Sequence, residues 1–138
     1  GLDYRHGTGH GVGAALEVHE SPPGISARKT AAHALQLGMI VSNEPGYYHD
    51  GEFGVRCENL FEVVAADTPH AFGDVAYLTC RAITLAPWDR RLLDVDALTR
   101  EQRAWVDSYH ARVRDELEPR LRDRPDVLEW LREQTKPL

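Results

Sequence analysis

The sequence lacks any long hydrophobic run, and none of its stretches approaches the roughly 18 consecutive apolar residues that a membrane-spanning helix needs. It has no excess of basic residues either, since 16 Lys and Arg stand against 22 Asp and Glu, for a net charge of -6. Proteins that bind nucleic acid through its phosphates usually carry a basic surface. The composition therefore predicts a globular protein that binds neither membrane nor nucleic acid.

Cysteine is also scarce. The two cysteines, Cys57 and Cys80, do not have the CxxC spacing of a redox or zinc motif. The first residues do not form a secretory leader, in which a basic segment precedes an apolar one. We therefore expect reduced thiols, buried or at a sheet edge, and a cytoplasmic location.

The front of the chain is rich in glycine and histidine and is followed by short apolar segments. Glycines alternate with other residues over 7–13, and each costs a helix roughly 1 kcal/mol relative to alanine, so the pattern predicts a loop. Apolar segments bounded by Pro and Gly predict four strands. These strands cover residues 15–19 (ending at SPPG), 39–43, 54–64 and 77–85.

The pattern becomes helical after residue 98. Thr99 and Gln102 have the spacing of a capping box, and apolar residues then recur at helical intervals. Pro119 is expected to end this helix and Pro125 to begin a shorter one. The predicted organisation is a strand-rich domain over residues 1–88 and a helical extension over 89–138 packed against it.

Three residues are candidate metal ligands: His10 in HGTGHGVG, Glu44 in SNEPG and Glu58 in VRCEN. Imidazole and carboxylate groups bind hard to borderline divalent cations. Three such ligands can hold one metal with an open position, whereas a two-metal hydrolytic site needs further carboxylates. The sequence therefore indicates part of the site of a metal-dependent hydrolase.

Other polar residues near these ligands are candidates for contact with a substrate. His6 and His10 are four residues apart, but Gly7 stands where a zincin HExxH motif has glutamate. The glycine-rich loop would let backbone and imidazoles approach a small substrate closely. Arg56 lies two residues before Glu58 on a predicted strand, so it could orient that carboxylate or form a plain surface ion pair with it.

Five motifs in order resemble one enzyme family. HGTGHGVG, VHE followed by SPPGIS, GMIVSNEPGYY, GEFGVRCEN and the tail pair WVDSYH and WLREQTKPL are similar to the C-terminal part of Xaa-Pro aminopeptidase (aminopeptidase P). The resemblance implies the α/β (α+β) pita-bread fold, here its C-terminal half with a helical tail. It also implies hydrolysis of the bond between an N-terminal residue and proline, on peptides with proline at the second position.

The resemblance assigns roles residue by residue. Two divalent ions, usually manganese with zinc or cobalt as alternatives, would be held in part by His10, Glu44 and Glu58. Glu44 would also shuttle a proton. His6 and His19 match substrate-side histidines, His19 donating to the developing oxyanion, and Arg56 matches an arginine behind the ligands. Candidate walls around the proline ring are Tyr47, Tyr48 and Phe53.

The family's two aspartate ligands and a further histidine have no counterpart in this sequence, whose single acid before His10 is Asp3. We expect the isolated chain to be inactive or nearly so and to associate with itself, whereas the parent protein would be a homodimer. Two alternatives stay open: a prolidase, which takes Xaa-Pro dipeptides, and a non-catalytic pita-bread module that binds peptides.

Overall fold

The computed structural model describes residues 3–26, 34–73 and 75–138. Two compact units divide the chain, Gly1–Thr84 and Leu85–Leu138. The division lies a few residues before the predicted boundary at residue 88. Whether the second unit packs against the first stays a prediction.

The described part of the first unit is built from short antiparallel strands. They are β1 (Gly9–Gly11), β2 (Glu20–Ile25), β3 (Ile40–Asn43), β4 (Gly46–His49), β5 (Phe53–Arg56), β6 (Asn59–Ala65) and β7 (Leu78–Ala82). One sheet has the order β2-β1-β3-β6-β7, and β4 and β5 form a separate hairpin. Val41 on β3 and Val63 on β6 are buried, so the core of this unit lies under the middle of the sheet.

The prediction for the beginning of the chain was wrong in two places. Residues 15–19, predicted as a strand, are bends, and Leu16 has a φ of 62°. The strand instead runs through Glu20–Ile25, across the two prolines expected to end it. Proline lacks the N–H that a central strand must donate, but an outermost strand such as β2 tolerates it.

The glycine-rich segment contains a strand rather than only a loop. A side chain at Gly11 would place its Cβ 2.6 Å from the Glu20 carbonyl oxygen and 2.7 Å from a ring carbon of Pro23. Glycine here permits the close pairing of β1 with β2. The low helix propensity of glycine, from which a loop was predicted, carries no information about this pairing.

The single strand predicted over 54–64 is two strands in different sheets. The chain leaves the hairpin after Arg56 and enters the large sheet at Asn59. The partner strand β4 directly follows Pro45, where only a turn was expected. The strands predicted at 39–43 and 77–85 are confirmed as β3 and β7, each shorter than predicted.

The second unit confirms the helical prediction. Helix α1 is Arg100–Leu117, and its N-cap Thr99 exchanges both capping-box hydrogen bonds with Gln102. Helix α2 is Pro125–Gln134, with proline in its first turn. Its largely apolar core contains Val106, Tyr109, His110, Val113 and Leu131.

Two of the composition-based predictions can be compared with the structure. Among the described residues, no helix is both long and apolar enough to cross a membrane. Cys57 and Cys80 are free thiols and both are exposed, so neither is buried as one alternative had it. Cys80 lies on β7, an outermost strand of the large sheet, as the other alternative predicted.

Candidate metal centre

Two of the candidate ligands are brought together by the pairing of β1 with β3. His10 is the middle residue of β1, and Glu44 directly follows β3. The Glu44 amide donates to the Thr8 carbonyl oxygen at 2.7 Å, which joins the chain before β1 to the end of β3. Glu44 is almost fully buried, so little water reaches its carboxylate.

The side chains of His10 and Glu44 are in direct contact. His10 Nε2 lies 3.0 Å from Glu44 Oε1, and His10 Nδ1 lies 2.8 Å from the Gly11 carbonyl oxygen. A carbonyl oxygen only accepts, so the proton of neutral His10 is assigned to Nδ1 and the Nε2 lone pair faces the carboxylate. Two acceptors at this distance need a proton or a cation between them. Metal-ligating histidines characteristically donate their other N–H to a carbonyl or carboxylate in this way.

Arg56 at the end of β5 holds the second oxygen of Glu44. Its Nη1 donates to Glu44 Oε2 at 3.0 Å and lies 4.0 Å from Glu58 Oε2, while its Nε donates to the Tyr48 hydroxyl at 2.9 Å. The hydrogen bond to Tyr48 raises the pKa of the Arg56 guanidinium, and the charges of Glu44 and Glu58 act in the same direction. Arg56 is therefore a fixed cation between two candidate ligands.

Tyr48 extends these contacts to His6. The Tyr48 hydroxyl lies 2.7 Å from His6 Nε2, and His6 Nδ1 lies 2.7 Å from the Gly7 carbonyl oxygen. The carbonyl assigns the His6 proton to Nδ1, so the Tyr48 hydroxyl donates to Nε2 and accepts from Arg56. His6, Tyr48 and Arg56 line a cavity of about 610 Å³, together with Asp3, Tyr4, Arg5, Tyr47, His49 and Asp50.

His19 lies next to His10. Its ring centroid lies 4.4 Å from that of His10, with the two ring planes inclined at 47°. His19 is exposed and lies on the bend before β2. The predicted substrate-side histidines therefore border the candidate centre at two separate points, His6 through Tyr48 and His19 through His10.

The residues fit a divalent cation in part. The His10 nitrogen and the Glu44 oxygen face each other as ligands would, and nitrogen and oxygen donors suit a borderline divalent metal. Within the described ranges, however, no group of three His, Cys, Asp or Glu side chains is gathered to hold a metal. Glu58 is exposed and contacts Arg56. These residues thus provide one ligand pair and a third carboxylate set apart from it.

Sequence reasoning did not identify two residues of this network in their structural roles. The resemblance makes Tyr48 a candidate aromatic wall around the proline ring, whereas its hydroxyl connects His6 with Arg56. Ser42 was not considered, although it precedes Glu44 by two residues and its hydroxyl donates to that carboxylate at 2.8 Å. Residues two apart share one face of a strand, so the spacing carried the signal for Ser42.

Comparison with protein families identifies the class of protein to which this fold belongs. Residues 1–65 match the model of metallopeptidase family M24, and residues 76–138 match that of the C-terminal region of peptidase M24. The chain belongs to metallopeptidase family M24.

Curated relatives of this chain are M24 enzymes of one kind, the aminopeptidases P. The chain is 50% identical to "Aminopeptidase P2" of Arabidopsis thaliana and 48% identical to "Probable Xaa-Pro aminopeptidase P" of Laccaria bicolor, in both cases over its whole length. It covers 19% and 22% of those proteins, so it spans about a fifth of the length of the curated relatives it matches.

A solved structure supports the same assignment. The X-prolyl aminopeptidase of Caenorhabditis elegans, a cytosolic enzyme with a di-nuclear active site, is 40% identical to this chain. It superposes with a TM-score of 0.89 over 100% of this chain and 22% of its own. The predicted fold class, the C-terminal half of a pita-bread fold with a helical tail, is confirmed by this match.

Proposed function

We propose that this chain contributes the C-terminal part of the active site of an Xaa-Pro aminopeptidase, which hydrolyses the bond between an N-terminal residue and proline. The observation that carries the proposal is the contact of His10 with Glu44, in which two ligand atoms face each other 3.0 Å apart. The relatives named above support the substrate class. Because the chain spans about a fifth of their length, the activity is proposed for the whole protein.

The proposal gives each polar side chain a task. His10, Glu44 and Glu58 would be metal ligands, and two divalent cations, when bound, would polarise the scissile carbonyl and lower the pKa of the attacking water. Glu44 would also pass a proton to the leaving proline nitrogen. Arg56 keeps the second oxygen of Glu44 in place through its 3.0 Å hydrogen bond.

The two outer histidines have different tasks. His19 is exposed beside His10 and would donate to the oxygen that becomes negative as the carbonyl turns tetrahedral. Both ring nitrogens of His6 already have partners, Tyr48 and the Gly7 carbonyl. His6 would therefore meet the peptide with its ring, as part of the wall of the 610 Å³ cavity.

Three further features belong to the proposal. The cations are manganese, since oxygen-rich ligand sets with one histidine suit it. The protein acts in the cytoplasm, as does the Caenorhabditis elegans enzyme. The parent protein is a homodimer and the isolated chain associates with itself, because large apolar side chains such as Leu16, Phe53 and Phe72 are exposed.

The test is the hydrolysis of Arg-Pro-Pro by the full-length protein with added Mn²⁺. The Glu44→Gln variant should lose nearly all activity, because the amide is a poor metal ligand and takes up no proton. The matched control is Glu62→Gln, which changes a carboxylate on β6 that pairs with Arg81 outside the site. Undiminished turnover by Glu44→Gln would refute the proposed role of this residue.

Substrate comparison separates the remaining alternatives. An aminopeptidase should cleave Arg-Pro-Pro faster than the dipeptide Arg-Pro, and a prolidase should show the opposite order. A full-length protein that binds these peptides without cleaving either would be a binding module. The 138-residue chain alone should show no turnover, because its described residues supply one His–Glu ligand pair.

A further inference from the structure

We propose that Ser42 is a positioning residue, whose hydroxyl sets the separation between the His10 and Glu44 ligands. The inference rests on the proposed function for the metal that these ligands would hold. Ser42 lies on β3 and is fully buried, with a relative exposure of 0%. Its hydroxyl therefore interacts with protein groups and not with bulk water.

The direction of both Ser42 hydrogen bonds is fixed by chemistry. The His10 backbone N–H can only donate, so it donates to Ser42 Oγ, at 3.0 Å. The one hydroxyl proton of Ser42 is then left for Glu44 Oε1, at 2.8 Å. One side chain thus holds the backbone of the first ligand and the carboxylate of the second.

The backbone around Ser42 is packed closely enough to make this geometry rigid. A Cβ atom on Gly9 would overlap the Ser42 carbonyl oxygen, so β1 lies directly against β3 without a side chain between them. The Val12 amide donates to the Ile40 carbonyl oxygen at 3.1 Å just beyond this point. Ser42 therefore lies where β1 and β3 are in close backbone contact and cannot separate without losing hydrogen bonds.

The hydroxyl also leaves the ligand atoms free to bind. Ser42 engages one lone pair of Glu44 Oε1, and Arg56 donates to Oε2. The carboxylate is held from both ends, while His10 Nε2 faces Oε1 from the remaining side. His10 and Glu44 would offer a metal a carboxylate whose orientation is already fixed, so binding would not have to order it.

The test measures the binding of Mn²⁺ alone to the full-length protein by titration calorimetry, in three variants. Ser42→Ala removes the hydroxyl, and its affinity should fall about 10- to 100-fold, the usual effect of losing a partner that orients a ligand. Ser42→Thr keeps a hydroxyl and should restore most of the affinity. Val41→Ala is the control, since it shortens a fully buried side chain on the same strand that makes no polar contact through that side chain.

The outcomes separate positioning from general destabilisation. A loss of affinity in Ser42→Ala that clearly exceeds the loss in Val41→Ala supports the inference. Equal losses, or wild-type affinity in Ser42→Ala, overturn it.

A metal-free readout keeps the inference separate from the proposed function. Hydrogen exchange at the His10 amide should become faster in Ser42→Ala and remain slow in Val41→Ala, because only the first change removes its acceptor. If the wild-type protein binds no Mn²⁺ and cleaves no Xaa-Pro peptide, the proposed function fails, and this exchange comparison alone decides the role of Ser42. Unchanged exchange in that case overturns the inference.

Discussion

His110 should make the free energy of unfolding of the second unit, Leu85–Leu138 (the helical unit), depend on pH between 8 and 5. The side chain is fully buried on α1, and its Nε2 accepts a hydrogen bond from the Trp88 amide at 3.1 Å. Its other ring nitrogen, Nδ1, is buried and has no hydrogen-bond partner among the residues that the structure describes. Burial lowers the pKa of His110, the positive charge of Arg90 lowers it further, and Asp107 opposes them.

The sign and size of the effect follow from proton linkage. The unfolded chain binds a proton on this ring below its ordinary pKa of 6.5, whereas the folded chain keeps the ring neutral to a lower pH. Falling pH therefore favours the unfolded chain. The free energy of unfolding should therefore fall between pH 8 and pH 5, by about 1.4 kcal/mol for each pH unit that separates the folded from the unfolded pKa within that range.

Tryptophan fluorescence during urea unfolding is a suitable assay. All three tryptophans, Trp88, Trp105 and Trp130, lie in the helical unit, and His110 is its one histidine. In His110→Gln the fall in stability between pH 8 and pH 5 should disappear, because glutamine does not titrate. The control His70→Gln, which changes an exposed histidine, should keep it.

A direct measurement of the ring covers the case in which His110→Gln does not fold. The pKa of His110 in the wild-type protein, followed by NMR, should lie below 6.5. A stability that stays constant from pH 8 to pH 5, or a His110 pKa at or above 6.5, would refute the reasoning.

Two further predictions concern the ends of local elements in the same unit. Thr99→Ala removes the N-cap of α1 and one half of its capping box, and should lower the free energy of unfolding by about 1 kcal/mol. The control is Ser108→Ala on the exposed face of α1, which should change the free energy of unfolding much less. Hydrogen bonds from Arg91 lower the pKa of Asp89 from 3.8 to about 2. The stabilisation from Asp89 is therefore present above pH 4 and lost as the pH falls towards 2, so Asp89→Asn should flatten the acid limb of the stability curve, and an unchanged limb would contradict this.

The helical unit could be predicted from the sequence because its signals are local. The capping box joins Thr99 to a residue three positions later, and Pro125 marks the start of α2 by its own geometry. Such signals lie within a few residues of the structure that they specify. The boundaries of α1 and α2 were accordingly close to those observed.

The first unit was harder to predict because distant pairing decides its strands. Gly9–Gly11 has the composition of a loop. It forms strand β1 because β2 pairs with it on one side and β3, through Val41, on the other. The hairpin after Pro45 was missed for the same reason. The alternating pattern of apolar and polar residues over 54–64 correctly indicated extended chain. It could not reveal that the chain passes from one sheet to the other between Arg56 and Asn59.

The motifs in the sequence named candidates for the site but could not give their contacts. His6, His10 and Glu44 were candidates from their motifs, yet His6 and Tyr48 are 42 residues apart in the sequence and meet only in the fold. The motifs also could not show that Glu58 is set apart from the His10–Glu44 pair. Hydrogen-bond direction, as at Ser42, requires coordinates.

The prolines of β2 have a consequence for how this sheet could grow. At Pro22 and Pro23 the outermost strand offers carbonyl oxygens but no N–H groups, so an approaching strand would find an interrupted ladder there. In the described part of the chain, the opposite border is β7, whose residues Leu78–Ala82 contain no proline and are mostly exposed. A strand from another protein, or from a second copy of this chain, would therefore pair with the sheet at β7 and not at β2.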